Sequence, residues 1–382
     1  AIPAIVIELA VGFALGNTVL PYGAIAPLSG LTELGVLTLF FQVGLEVRGD
    51  LLGSRRATIL RLVALSCLTP LLAYGPLVHA MALPRASALL CLACLAATGT
   101  GVTLRLLAQR QALQSPSGRL LVGVSVLDDL PAVALLSLAV AWGARGMARG
   151  VGGWWPLVLG LLVAALSYAL CGWWVRHRHQ RPTGPLTVLM LLIAAAWVGE
   201  VSGLTSLLGA LWGGVLLSRL TPADPDHQIP FLNLLSEVFL PLYFVSEQQG
   251  SLLAVIAEVF LPLYFISVGM RVSAASLLDA SAWALAAVLL LLALISKLAC
   301  GLGITAADRR AGIDRWTVVF GLIPRGLPGL VFASTALNAG VISNQQFSAL
   351  VIMVTLTTVI GLLLLEGRVR SRSRIETTAA AA

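Results

Sequence analysis

The sequence predicts an all-α, polytopic membrane protein with about twelve transmembrane helices, and three observations carry that prediction. Hydrophobic residues make up 58% of the 382 residues and charged residues only 11%, against roughly 25% charged residues in an ordinary soluble domain. Apolar stretches of about 20 residues, the length that crosses a bilayer as a helix, recur from end to end. No long polar segment separates them, so we expect no soluble catalytic or nucleotide-binding domain.

The spans follow one another along the chain with short polar connections between them. One span contains Cys91 and Cys94, and the next contains Asp128 and Asp129. The CxxC lacks a second ligand pair, so we interpret it as helix packing rather than a zinc or redox site. The predicted spans are 3–21, 31–48, 57–82, 85–108, 117–143, 153–175, 184–202, 204–218, 252–271, 281–303, 315–338 and 346–367.

Membrane topology explains the net charge of +7 better than nucleic-acid binding does. If residue 1 is cytoplasmic and the spans alternate, most arginines fall on cytoplasmic sides, whereas four fall outside: Arg85, Arg145, Arg149 and Arg271. This asymmetry is the positive-inside rule, and it predicts that both ends of the chain are cytoplasmic. The first span lacks a basic leader and a cleavage site, so we expect it to stay in a bacterial inner (plasma) membrane.

The two halves of the chain match at an offset of 225 residues. Phe40–Val47 resembles Phe265–Val272, and the same offset lays Thr98–Gly101 on Ile323–Gly326. The last two stretches each interrupt an apolar helix with residues that break or loosen it. Because an odd number of helix steps separates the halves, they are predicted to be inverted. Inverted repeats with one interrupted helix each are typical of secondary transporters with a midplane site.

A second, local repeat does not fit this symmetry. Residues 237–246 are nearly repeated at 258–267. If both copies crossed the membrane, Arg309 and Arg310 would face outward, against the charge rule. We therefore expect only the second copy to cross, and we place 219–251 on the cytoplasmic surface or in a shallow hairpin.

Asp128 and Asp129 lie near the middle of the span 117–143. A carboxylate there costs roughly 2.5–3.5 kcal/mol on insertion scales, and such groups usually line an ion or proton pathway. Adjacent helical residues point about 100° apart, so the two acids should have different partners. We therefore interpret the pair as functional rather than structural.

Lys297 is the single lysine of the chain. Unlike an arginine, a buried lysine can lose its proton near neutral pH. Snorkelling to the headgroups is the competing interpretation. We favour a buried lysine paired with an acid, and Asp128 is the expected partner.

Arg325 interrupts the segment Gly321–Gly329, where two prolines and three glycines make a continuous helix implausible. Half-helix ends at Pro324 and Arg325 would present backbone dipoles. Thr98, Thr100 and Thr103 on the other interrupted span offer hydroxyl oxygens. Hard oxygen ligands and a carboxylate suit a monovalent or small cation.

These residues, in this order, resemble the cation/proton antiporter superfamily, in its electrogenic sodium/proton branch with an aspartate pair. The resemblance covers nearly the whole chain and rests on Pro3 with Glu8, Glu33–Gly35, Val43–Glu46, Ala97–Thr103, Asp128–Asp129, Val268–Gly269, Lys297 and Pro324–Gly326. It implies the NhaA-like fold with two crossed discontinuous helices. It also implies that Asp129 binds Na+ (or Li+) and protons, that Asp128 pairs with Lys297, and that Thr98 contributes from the crossing.

The resemblance further implies a homodimer in which a mobile core slides like an elevator against a rigid scaffold. We assign 1–30 and 153–218 to the dimerisation scaffold, 31–143 and 252–367 to the core, and 368–382 to a basic cytoplasmic tail. The expected partners are monovalent cations, protons and membrane lipids, with no cofactor and no nucleic acid. The chain departs from the family at Leu327, where relatives commonly carry Glu. The family often has a further helix before the Pro3 position, where this sequence begins.

Other functions remain open from the sequence. K+/H+ exchange is one alternative, although relatives of that kind usually carry Gln-Asp in place of Asp128–Asp129. A non-transporting membrane receptor or scaffold is another, from a different class. An intramembrane enzyme is disfavoured, because no HExxH or His-box pattern is present and an aspartyl protease would place its acids on separate helices.

Overall fold

The computed structural model describes residues 3–25, 27, 29–46, 55–113, 115–144, 160, 162–170, 185–202, 205–220 and 262–381. Within these ranges the protein is helical and contains no β-strand, which confirms the predicted fold class. The duplicated segment 237–246 and most of the span 153–175 lie outside the described residues. So does the start of the span 252–271, which is described from 262 onward.

The first half of the chain forms helices that end close to the predicted spans. The helices are α1 (Ala4–Thr18), α2 (Tyr22–Ile25), α3 (Ser29–Glu46), α4 (Arg56–Leu71), α5 (Tyr74–His79), α6 (Arg85–Ala96), α7 (Thr100–Gln109), α8 (Pro116–Ala144), α9 (162–170), α10 (Pro185–Val201) and α11 (Ser206–Leu220).

The second half continues the same pattern. Its helices are α12 (262–270), α13 (Ala274–Leu277), α14 (Ala280–Cys300), a 3-10 turn (Gly301–Gly303), α15 (Ala306–Arg310), α16 (Arg315–Leu322), α17 (Gly326–Asn338) and α18 (Asn344–Ala381). Helix α18 therefore runs on past residue 367, where its span was predicted to end.

Several of these helices have the length and composition of membrane spans. Among the described residues, five helical stretches are long and apolar enough to cross a membrane: Arg56–His79, Pro116–Gly143, Ala280–Gly303, Arg315–Asn338 and Asn344–Ser371. Large apolar side chains also cover the outside, as on α10, where Met190 and Trp197 are more than 60% exposed. An apolar outer surface suits lipid as the solvent. The total of twelve spans stays a prediction.

Helix α3 approaches α11, and helix α12 approaches α1, at glycines. A Cβ on Gly44 of α3 would lie 2.0 Å from the Leu211 carbonyl oxygen of α11, and a Cβ on Gly269 of α12 would lie 2.3 Å from that of Leu9 in α1. Gly44 and Gly269 are themselves 225 residues apart. Small residues permit this close packing between membrane helices, so α3 is held against α11 and α12 against α1.

Charged side chains join several helices at the end of the bundle where α4 and α16 begin. Asp308 accepts hydrogen bonds from Thr305 and Thr58 and lies 3.3 Å from Arg61. Burial raises the pKa of Asp308, but these hydrogen bonds and the nearby Arg61 outweigh burial and leave the pKa lowered. The end of the bundle is thereby fixed by ion pairs that favour ionised carboxylates.

Asp314 is the second carboxylate of this end and caps α16. It accepts from the backbone N–H of Thr317 at 2.9 Å and from Arg368 of α18 through two N–H groups, at 2.8 and 3.0 Å. Burial alone would raise the pKa of Asp314, but the hydrogen bonds from Arg368 and Thr317 lower it to about 2. Asp314 thus ties the start of α16 to α18.

We expect Asp314→Asn to lower the thermal unfolding temperature at pH 7 and to have little effect near pH 2. Because the folded pKa is depressed, the stabilisation is complete above the unfolded pKa of 3.8 and is lost as pH falls toward 2. Discounted for the solvent around the partly exposed Arg368, it amounts to about 1 kcal/mol. Thermal unfolding of both proteins between pH 7 and pH 2 measures it, and a difference that does not narrow below pH 4 would contradict it.

Candidate cation and proton site

Two interrupted helices cross at the centre of the described core. Helix α6 ends at Ala96 and α7 begins at Thr100, whereas α16 ends at Leu322 and α17 begins at Gly326. The backbone N–H of Gly99 donates to the carbonyl of Pro324 at 2.6 Å. Both predicted interruptions are therefore present, and the two breaks contact each other directly.

Glycine is required at this crossing. A Cβ on Gly99 would lie 2.5 Å from the backbone nitrogen of Gly326. Gly326 has a φ of +49°, in the left-handed region that favours glycine, and its own Cβ would lie 2.9 Å from the Cα of Gly99. Its N–H donates to the Thr358 hydroxyl of α18 at 3.2 Å. The chain can cross here only because neither residue has a side chain.

Asp128 of α8 and Lys297 of α14 form an ion pair beside the crossing. Lys297 Nζ lies 3.3 Å from Asp128 Oδ2, and both side chains are fully buried. The hydroxyl of Thr98, in the first break, accepts from Lys297 at 2.8 Å and donates to Asp128. Thr98 therefore bridges the two charges and links them to the broken helix.

The rest of the lysine environment comes from two other helices. Lys297 Nζ donates to the Ala96 carbonyl at 3.0 Å and to the hydroxyl of Ser66 in α4. Cys67, next along α4, places its thiol 3.9 Å from Asp128 Oδ1. A buried ion pair is stable only when further hydrogen bonds satisfy both ions, and these contacts supply them.

Arg325 is fully buried in the second break and holds the end of α6 to α14. Its guanidinium donates to the carbonyls of Leu95 and Ala97, and to the Ala293 carbonyl at 3.1 Å and the Ser296 hydroxyl at 3.3 Å. Together with Lys297 on Ala96, two cations thus meet three successive carbonyls at the end of α6. Cations stabilise a helix C-terminus, where the dipole is negative.

The remaining predicted site residues lie around this centre. Asp129 follows Asp128 directly in α8 and is buried, with 6% of its surface exposed. The hydroxyl of Thr103 donates to the Gly321 carbonyl at 2.8 Å and so connects α7 to α16. The side chain of Thr100 lies outside the described part of the structure.

Sequence reasoning missed Ser66, Cys67 and Ser296 as members of this cluster. A serine or a cysteine in an apolar span is an ordinary packing residue, so nothing in the sequence distinguishes these positions. Their role depends on Lys297, and Ser66 and Lys297 are 231 residues apart.

The buried cluster at the crossing is suited to binding and releasing a cation or a proton. Asp128, Asp129, Lys297 and Arg325 are all shielded from solvent, where the interaction between charges is much stronger than in water. Adding a cation or a proton to one carboxylate therefore alters the balance at its neighbours. Buried carboxylate and hydroxyl oxygens are also suitable ligands for a small hard cation.

Comparisons with known proteins identify the family of this chain. The family model described as "Sodium/hydrogen exchanger, transmembrane" matches residues 1–366. The Na(+)/H(+)-K(+) antiporter GerN of Bacillus cereus is 24% identical over 371 residues, which cover 94% of this chain and 88% of GerN. The high-affinity Na(+)/H(+) antiporter NhaS3 of Synechocystis is 25% identical over 356 residues, covering 87% of this chain and 69% of NhaS3.

A solved structure shares the fold. The sodium proton antiporter MjNhaP1 from Methanocaldococcus jannaschii superposes with a TM-score of 0.63 at 16% sequence identity, over 96% of this chain and 93% of that one. The family model spans all of the helices that build the crossing, including both breaks and the ion pair. The chain is a member of the sodium/hydrogen exchanger family, within the cation/proton antiporter superfamily.

Proposed function

We propose that the protein is a secondary active Na+(Li+)/H+ antiporter in which cation and protons compete for the buried aspartate pair. The observation that carries the proposal is the fully buried Asp128–Lys297 ion pair at the crossing of the two broken helices. Asp129, one residue further along α8, is the proposed binding carboxylate for the transported Na+. No resident cofactor enters the mechanism.

The proposed exchange follows from the charges. A cation and a proton cannot occupy the Asp129 carboxylate together, so binding of the cation displaces the proton from the site. When the cation leaves, protons return to the site. Thr98 hydrogen-bonds both Lys297 and Asp128. A change of charge on one of these residues therefore alters the hydrogen bonding of the other.

The inverted repeat and the elevator motion belong to the same proposal. The two breaks, at 97–99 and 323–325, correspond within one residue at the 225-residue offset, and the equivalent glycines Gly44 and Gly269 make equivalent contacts. We propose 31–143 and 252–367 as the core, 1–30 and 153–218 as the scaffold, and a homodimer as the assembly. Helices α3 and α12 lie at the boundary, since each packs on a scaffold helix.

K+ is a second candidate cation, because GerN is named a Na(+)/H(+)-K(+) antiporter and KefB of Alkalimonas amylolytica a putative K(+) efflux antiporter. The site does not distinguish the two ions by its oxygen ligands alone. Selectivity for K+ would make Na+ a weak substrate without changing the mechanism.

We expect Na+ or Li+ to dissipate an imposed pH gradient in proteoliposomes that contain the purified chain, as reported by an internal pH dye. Choline chloride at the same ionic strength is the control for leak. K+ is tested in parallel, and K+ as the single active cation would transfer the proposal to K+/H+ exchange. If none of the three ions moves protons, the antiport proposal is wrong for this chain.

A further inference from the structure

A cavity lies at the opposite end of the bundle from the Asp308 and Asp314 ion pairs. Its volume is about 470 Å³, within the range of roughly 300–1,000 Å³ that is usual for small-ligand sites. It opens where α1, α12 and α17 end and where α18 begins. Its polar lining comes from Asn17, Tyr22, Arg271, Ser273 and Asn344, and no acidic residue of the described structure lines it.

Arg271 is the charged residue of this cavity. Its guanidinium donates to the Ser334 hydroxyl at 2.8 Å and to the Asn338 amide oxygen, and it stacks over the Tyr22 ring at 4.6 Å. A guanidinium has five N–H groups, so these two bonds leave three for another acceptor. Among the described residues, Arg271 has no carboxylate within ion-pair distance.

The start of α18 adds a second positive contribution. Asn344, its first residue, lines the same cavity as Arg271. The first N–H groups of a helix carry the positive end of its dipole, which favours an anion. The Gln346 N–H already donates to the Ser343 hydroxyl at 3.2 Å, so the anion would face the N–H groups of Asn344 and Gln345. The amide of Asn344 and the hydroxyl of Ser273 provide further donors for oxygen atoms.

The position of Arg271 in the membrane also indicates a ligand. The positive-inside rule disfavours arginine on the outer side, where the sequence places Arg271. The cavity lies at the ends of four helices, which is the depth of lipid headgroups. Phosphate is the common oxyanion at this depth, and a guanidinium binds it well through paired N–H groups.

We propose that this cavity binds a phosphate-type oxyanion through Arg271 and the start of α18. The source is either the headgroup phosphate of an anionic phospholipid or free phosphate. Because Arg271 contacts α17, the bound anion would connect α12 to the second half of the broken helix. This site is separate from the Asp128–Lys297 centre, and its existence does not depend on which cation the protein transports.

The test is thermal unfolding of the purified full chain in a neutral detergent, with phosphatidylglycerol, phosphatidylcholine or sodium phosphate added in turn. We expect phosphatidylglycerol to raise the unfolding temperature of the native protein by several degrees more than phosphatidylcholine. Arg271→Gln should remove that difference. Arg85→Gln, an exposed arginine also predicted on the outer side, is the matched control and should keep it.

A second variant guards against misfolding of Arg271→Gln. Asn344→Asp adds a negative charge to the cavity at a helix position where Asp is well tolerated, and it should also remove the response to phosphatidylglycerol. If phosphate alone reproduces the stabilisation, the site takes the free anion. The proposal is overturned if both cavity variants respond to phosphatidylglycerol as the native protein does, or if neither phosphate source stabilises the native protein.

Discussion

Asp129→Asn is expected to reduce cation-driven proton movement in proteoliposomes to the level of empty liposomes. The amide has the same shape as the carboxylate but cannot exchange a proton for a cation, so competition at the site disappears. Because Asp129 is buried in α8 and Asn is isosteric with Asp, the variant should keep a thermal unfolding temperature close to that of the native protein. The dye assay and the unfolding curve together check this prediction.

Two comparison variants separate the roles of the carboxylates. Asp279→Asn changes an exposed carboxylate that caps α14 by accepting from Ser281; Asn also caps helices well, so full exchange is expected. Asp128→Asn instead removes the partner of Lys297. Breaking a buried pair costs roughly 3–5 kcal/mol, so this variant should be both inactive and less stable. Full exchange by Asp129→Asn would rule out the proposed binding carboxylate.

Gly99→Ala is expected to destabilise the fold strongly, because the added Cβ enters the crossing of the two broken helices. The added Cβ would lie 2.5 Å from the backbone nitrogen of Gly326. Neither backbone segment can move away without separating the two breaks. Overpacking a dense core typically costs roughly 1–3 kcal/mol and occasionally more, and here it also breaks the bond from Gly99 to Pro324. Thermal unfolding and the yield of folded protein in detergent measure the effect.

The matched control is Gly367→Ala, because nothing lies within 4 Å of the position that its Cβ would occupy. Gly367 lies inside α18, where Ala is favoured over Gly by up to about 1 kcal/mol. That variant should therefore be as stable as the native protein or more stable. Equal stability of the two alanine variants would contradict the close crossing at Gly99.

The two interruptions could be predicted because breakers act locally. Pro324 removes a backbone donor, and Gly99 and Gly101 weaken the first helix regardless of what surrounds them. The structure places the breaks at 97–99 and 323–325, so the first overlaps the predicted Thr98–Gly101 and the second lies within the predicted Ile323–Gly326. That the breaks touch could not be derived in this way, since their contact depends on how several helices pack.

Arg325 shows where local reasoning stops. The sequence shows Arg325 at an interruption where half-helix ends are expected to present backbone dipoles. In the structure its guanidinium is occupied by the carbonyls of Leu95, Ala97 and Ala293. It therefore joins α6 to α14, and a buried cation without a carboxylate partner is satisfied by backbone oxygens.

The sequence by itself determined that this protein spans a membrane and which of its ionisable residues are costly to place there. Hydropathy identifies membrane spans because each span must bury its own backbone polar groups in helix, and an ionisable group such as Asp128 or Lys297 stands out there because of its cost. Only the tertiary structure decided which groups form hydrogen bonds with these buried ions and so offset that cost. Ser66, the Ala96 carbonyl and Thr98 reach Lys297 from positions roughly 200 residues away, and no local pattern encodes hydrogen bonds across such distances.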